Sequence, residues 1–136
     1  MQKRFWLSTI MAWLLFIGID FLFHASILQN IWTEISVAKS LEELALLIPV
    51  GYTSFLILTI LIGFLFVNIY NDKPLQKEGI KFGIILGGLY SISNFLGSYS
   101  FLDIPVSFLI ITNIVNFIEI FGVVVIYNNL LFCDFN

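Results

Sequence analysis

Three ionisable residues stand inside long apolar stretches of this chain: Asp20, His24 and Glu119. Asp20 and His24 are four residues apart, so on a helix they share one face. A carboxyl and an imidazole placed together can pass a proton, or can offer two ligands to a metal. A closed zinc site needs four ligands. The chain holds one histidine and one cysteine, Cys133, which is not suitably placed, so the zinc signal is weak and no metal is expected. The single cysteine also excludes an internal disulfide. It is the fourth residue from the end, where a prenylated cysteine would stand, but Asp134 follows it and fits that motif badly. Cys133 therefore reads as a free thiol. The sequence contains no G-x-S-x-G elbow, no H-E-x-x-H helix and no phosphate-cradling glycine loop. An enzyme is unsupported, and no cofactor is expected.

These residues must be held by elements of an unusual kind. Of the 136 residues, 60% are hydrophobic and only 11% charged, with a mean hydropathy of +1.02. A soluble domain carries roughly 25% charged residues, so this chain could not cover a water-facing surface. It is also far too apolar to be disordered. A formal charge of -3 with six basic residues excludes nucleic-acid binding as its main role. A lipid bilayer is the partner that remains.

A spanning helix needs about 20 mostly apolar residues, and four stretches qualify. They cover approximately residues 5–27, 44–70, 79–99 and 105–127. Transmembrane barrel strands alternate apolar and polar residues, and segments such as Phe55 to Val67 do not. The expected fold is all-α, a membrane-embedded antiparallel four-helix bundle in one integral membrane domain. Lys3 and Arg4 resemble the start of a signal peptide. The first apolar run is too long for one, and no small-residue cleavage site follows it, so an uncleaved first helix is expected.

Five of the six basic residues, Lys3, Arg4, Lys73, Lys77 and Lys81, fall on one side of this layout, with only Lys39 on the other. The positive-inside rule then places both termini in the cytoplasm and the chain in the plasma (inner) membrane. Trp6, Tyr70 and Tyr127 fall at inner ends and Trp32 and Tyr99 at outer ends, so they are expected to anchor in the head-group zones. The outer loop from Leu28 to Glu43 has apolar residues at helical spacing. It reads as a surface helix or as a continuation of the first span. Ser40 with Glu43 forms a capping box that opens the second span near Leu41. Pro49 inside that span predicts a kink near Ala45. Asp72 can cap the third helix, and Asp103 with Pro105 opens the fourth. Short turns make spans two, three and four consecutive antiparallel neighbours.

Apolar burial does little to associate helices in lipid, so close backbone contact and polar pairs must do more. Gly79, Gly83 and Gly87 form a doubled G-x-x-x-G stripe on span three, and Gly88 stands beside it. The stripe can admit span four of the same chain or span three of a second chain, with the first reading ahead. Gly18, Gly63 and Gly122 read as packing notches. At 1.5 Å of rise per residue, Asp20 lies about 22 Å above the inner surface of a core about 30 Å thick. Tyr52 and Thr53, Ser93 and Asn94, and Thr112 and Asn113 fall at that same level, so each helix can add a polar group to one outer layer. Glu119 lies about 21 Å below the outer surface, level with Thr59 and roughly 13 Å from Asp20 in depth. The two carboxyls are too far apart for a dyad but could be two stations on one path.

Two readings of this set stay open. In one, Asp20, His24 and Glu119 are proton or cation stations, with Asn94 and Asn113 as oriented hydrogen bonders. In the other, the polar groups form a clasp that ties helices together, at about 0.6 kcal/mol per interhelical bond. The clasp leads for the layer as a whole. A specific role leads for Glu119, because span four offers no counter-charge at its level. An outer layer that opened sideways into the leaflet would favour a lipid-modifying enzyme.

The strings Asp20-x-x-x-His24, Lys77-Glu78-Gly79-x-x-Phe82-Gly83-x-x-x-Gly87, Pro105 and Glu119-x-x-Gly122, with Tyr127 behind, together resemble an uncharacterised family of small four-span bacterial integral membrane proteins. The resemblance covers most of the chain, with Trp32 matching an aromatic residue of the outer loop. It departs in a fourth span that is poorer in glycine. It implies the four-span layout, draws notice to Asp20, His24, Glu78 and Glu119, and brings no activity. The chain is unlike small multidrug exporters, whose first-span carboxylate is a glutamate. The leading expectation is an accessory, structural or interaction protein, with a homodimer or a larger membrane complex as its assembled state. The alternative is a small proton- or cation-coupled transporter or channel.

Overall fold

The computed structural model describes residues 2–23, 26, 41–69, 76–101 and 104–132. Four helices account for nearly all of them: α1 (Gln2–Phe23), α2 (Leu41–Ile69), α3 (Gln76–Phe101) and α4 (Val106–Phe132). The fold is all-α, with no strand among the described residues. Each helix is long and apolar enough to cross a membrane, and each satisfies its own backbone, as lipid demands. Pro49 lies within α2, and the Thr53 hydroxyl donates to its carbonyl at 2.7 Å. The helix α4 continues past Tyr127 to Phe132.

The helices do not pack in the expected order. The central helix is α4, with a larger buried share than any other. It packs most extensively on α3, then on α1, and more lightly on α2, which in turn leans on α1. Helices α2 and α3 are successive in the chain yet share little contact, touching where Phe66 meets Phe82 at 5.8 Å between ring centroids. The expectation that spans two and three would be packed neighbours is thus corrected. The physical reason lies in the side chains. The glycines of α3 face α4, whereas α2 packs chiefly on α1 and gives α4 a notch for its tyrosine, so neither helix turns its packing face to the other.

The contacts also fix direction. Along α3, Gly79, Gly83 and Gly87 meet Asn128, Phe121 with Val124, and Phe117 in descending order. Along α1, Thr9 meets Tyr127 and Leu15 meets Gly122. Helices α3 and α1 therefore both run antiparallel to α4. The core holds Ala12, Phe16, Ile62, Phe66, Ile120, Val123, Val124 and Tyr127. Large apolar side chains such as Leu14, Leu61, Leu89 and Ile114 point outward. A water-soluble protein rarely presents so broad an apolar surface, whereas acyl chains accept it without cost.

Candidate functional site

Among the described residues, one buried polar group joins three helices. Tyr127 of α4 is wholly buried. Its hydroxyl lies 2.7 Å from Thr9 Oγ1 of α1 and donates to the Thr59 carbonyl of α2 at 3.1 Å. Thr9 also donates to the Phe5 carbonyl at 2.9 Å, and Thr59 Oγ1 to the Phe55 carbonyl at 2.8 Å. Two protons therefore serve three contacts around the tyrosine. Either Tyr127 donates to Thr59 while Thr9 donates to Tyr127, or Tyr127 donates to Thr9 while Thr9 donates to Phe5. Gly63 makes this possible: a Cβ built there would stand 2.5 Å from the Tyr127 ring. Tyr127 is thus a central clasp and not the interfacial anchor that its position near a span end suggested. Trp6 and Tyr99, by contrast, are largely exposed. A second tie joins α1 to α2, where Trp13 Nε1 donates to the Tyr52 carbonyl at 3.0 Å.

The glycine stripe of α3 closes on α4 within the chain. A Cβ on Gly79 would collide with the Asn128 side chain, and one on Gly87 would lie 3.2 Å from the Phe117 carbonyl oxygen. On Gly83 it would meet Phe121 at 3.0 Å. Gly122 is a notch of the same kind, filled by Leu15. Gly18 is not, because nothing lies within 4 Å of its Cβ position.

One helical step from Gly87 the picture changes. Gly88 also has nothing within 4 Å of its Cβ position. It forms part of a groove of about 400 Å³ between α3 and α4, open sideways, with Ser91 and Asn113 in its lining among Ile92, Phe95, Ile114 and Phe117. Ser91 and Asn113 are each 8% exposed. Asn113 Nδ2 donates to the Leu109 carbonyl of its own helix at 2.7 Å. Neither Asn113 Oδ1 nor Ser91 Oγ has a hydrogen-bond partner. The hydroxyls of Ser8, Ser54, Ser100 and Thr112 each return to a carbonyl of their own helix; that of Ser91 does not.

The residues singled out by sequence are scattered among these features. Glu119 is buried, 1% exposed, on the central helix. Asp20 and Tyr52 are half-buried, and Asn94 is exposed. The expected outer layer therefore does not close as one set: Asn113 lies in the side groove, while Asn94 turns to the outside. Residues of one level on different helices meet only if their helices rotate them together, and rise per residue fixes level alone. His24, Trp32, Lys39, Ser40, Tyr70, Asp72, Lys73, Asp103 and Cys133 lie outside the described residues. Three participants escaped the sequence reading: Thr9, the clasp role of Tyr127, and Ser91. A legible trace of the clasp exists in Thr59-x-x-x-Gly63, a small-x-x-x-small spacing that invites close approach. No family model, curated protein or solved structure matches this chain.

Proposed function

We propose that this chain is an accessory or structural protein of the membrane, working by association with another membrane component and not by catalysis or transport. The observation that carries the reading is the side groove between α3 and α4, where two buried polar atoms have no partner within the chain. Many hydroxyls elsewhere are bonded within the chain, to carbonyls of their own helix or across helices as in the Thr9–Tyr127–Thr59 clasp. A groove left chemically incomplete at the flank of a bundle is what an associating surface requires. Lys3, Arg4, Lys77 and Lys81, exposed at one end of the bundle, support an orientation with both termini in the cytoplasm.

The test is flux. Purified protein in liposomes is expected to carry no more protons or monovalent cations than protein-free vesicles, from acid to alkaline pH. A flux that Glu119→Gln abolishes overturns the reading. It would favour a second one, in which Glu119 acts as a proton station together with Asp20 and His24. What favours that second reading is the placement of Glu119, a carboxyl buried on the central helix at membrane depth, where ionisable groups commonly mark proton paths.

A further inference from the structure

Resting on the associative reading above, we infer that the α3–α4 groove is the seam of a homodimer, in which Ser91 of each copy donates to Asn113 Oδ1 of the other. The groove presents two unmet needs within an apolar wall. Asn113 gives one amide hydrogen to the Leu109 carbonyl, and its Oδ1, which can only accept, has no partner. The Ser91 hydroxyl has one proton and no acceptor. An acyl chain has no donor and would leave both bare. A second copy brings one donor and one acceptor, and a two-fold axis turns them into two equivalent bonds, since in an isologous interface residue i meets j and j meets i.

The levels agree. Gly87 packs on Phe117, and the antiparallel pair carries Ser91, one turn on, to the level of Asn113, one turn back. Two copies inserted in the same direction share an axis along the membrane normal, which leaves levels unchanged. Ser91 of one copy therefore arrives at the depth of Asn113 in the other. The architecture also leaves room. Helix α3 stands at the edge of the bundle, packed mainly on α4, and Gly88 offers an empty Cβ position at the groove. In a rhombus of four helices, each α3 lies in the groove of the other copy, so each copy both fills and is filled. Large apolar side chains at the rim, among them Ile92, Leu96, Ile110 and Ile114, are exposed in the single chain and would be covered.

Two measurements test this on purified full-length chain in liposomes. The first is oxidative crosslinking of Ser91→Cys copies mixed with Asn113→Cys copies, both carrying Cys133→Ser; a covalent dimer of the two is expected, with none when Ile57→Cys on α2 replaces Asn113→Cys. The second is energy transfer between labelled copies as lipid dilutes the protein. Gly88→Leu is expected to weaken association about tenfold, and Gly18→Leu to leave it unchanged. A Cβ at either glycine meets nothing within 4 Å, so both variants are expected to keep the fold of the single chain, which unfolding of the dilute protein checks. Ser91→Ala and Asn113→Leu should each weaken association, and together no more than either alone, because they remove the two ends of one bond. A chain that stays monomeric at high protein-to-lipid ratio, or a Gly88→Leu variant that associates like Gly18→Leu, overturns the inference. So does a photo-crosslinker at Ile92 that captures a different protein in native membranes, which leaves the associative reading standing. Capture of lipid alone overturns both.

Discussion

Two neighbouring glycines of α3 divide the molecule into two kinds of surface. Gly87 faces the Phe117 backbone, with no space for a side chain; Gly88, one residue on, faces open space. On the first side lie the glycine seam and the Tyr127 clasp, where small residues are used to bring helices close and buried hydroxyls are bonded. On the second side lies the groove, where a glycine is left empty and two buried polar atoms are left bare. In lipid, close packing and polar bonds are the main forces between helices. The first surface has used both within the chain, and the second holds both in reserve. The difference separates what makes this fold from what the fold presents to others.

The sharpest break of this contrast is a pair of leucines. Gly87→Leu must displace the Phe117 carbonyl, which belongs to the helix backbone and cannot swing aside. Overpacking of that kind costs about 3 kcal/mol. A Cβ at Gly88 meets nothing within 4 Å, and the open groove has room for the rest of the side chain, so Gly88→Leu should change the stability of the single chain by less than about 0.5 kcal/mol. Unfolding of dilute protein in mixed detergent micelles measures both. Equal costs for the two substitutions would erase the distinction between the surfaces. Gly63→Leu belongs with Gly87→Leu, since it would take the space of the Tyr127 ring.

A smaller effect tests the clasp. Tyr127→Phe removes the hydroxyl that links three helices and should cost about 1 kcal/mol. Thr9→Val should cost a similar amount. If the two hydroxyls act as one unit, the double variant costs clearly less than the two single costs added. Additive costs would mean that the Thr9–Tyr127 contact of 2.7 Å contributes little.

Composition and periodicity made the four helices legible, because crossing a bilayer constrains length and hydropathy more strongly than any other feature. The doubled glycine stripe was legible as a seam for the same reason: a G-x-x-x-G row has one physical use in lipid, and Gly79, Gly83 and Gly87 show it against α4. Lateral order was not legible. Short connections tie the ends of successive helices but do not choose their faces: α3 packs on α4, and α2 chiefly on α1. Polar residues were legible by depth and not by azimuth. Rise per residue put Asn94 and Asn113 on one level, yet one is exposed and the other is buried beside the groove. Tyr127 was misread because a tyrosine near a span end is commonly an anchor; the signal against that reading, the Gly63 notch, sits on a different helix.

The smallest effect sharpens the contrast most, because its sign depends on the surroundings. An unpartnered buried acceptor costs free energy, and replacing it by an apolar group of similar shape is neutral or stabilising. In dilute single chains, Asn113→Leu should therefore leave stability unchanged or raise it by up to about 1 kcal/mol, despite the loss of the Nδ2 bond to Leu109. No residue of the clasp should behave this way: Tyr127→Phe and Thr9→Val destabilise under the same conditions. At high protein-to-lipid ratio the sign of Asn113→Leu should reverse, because the acceptor then has a donor to lose. Unfolding measured across protein-to-lipid ratios reads both regimes in one series. Destabilisation of the dilute chain by Asn113→Leu would mean that the asparagine already serves the single fold, and the groove would then belong with the seam rather than stand apart from it.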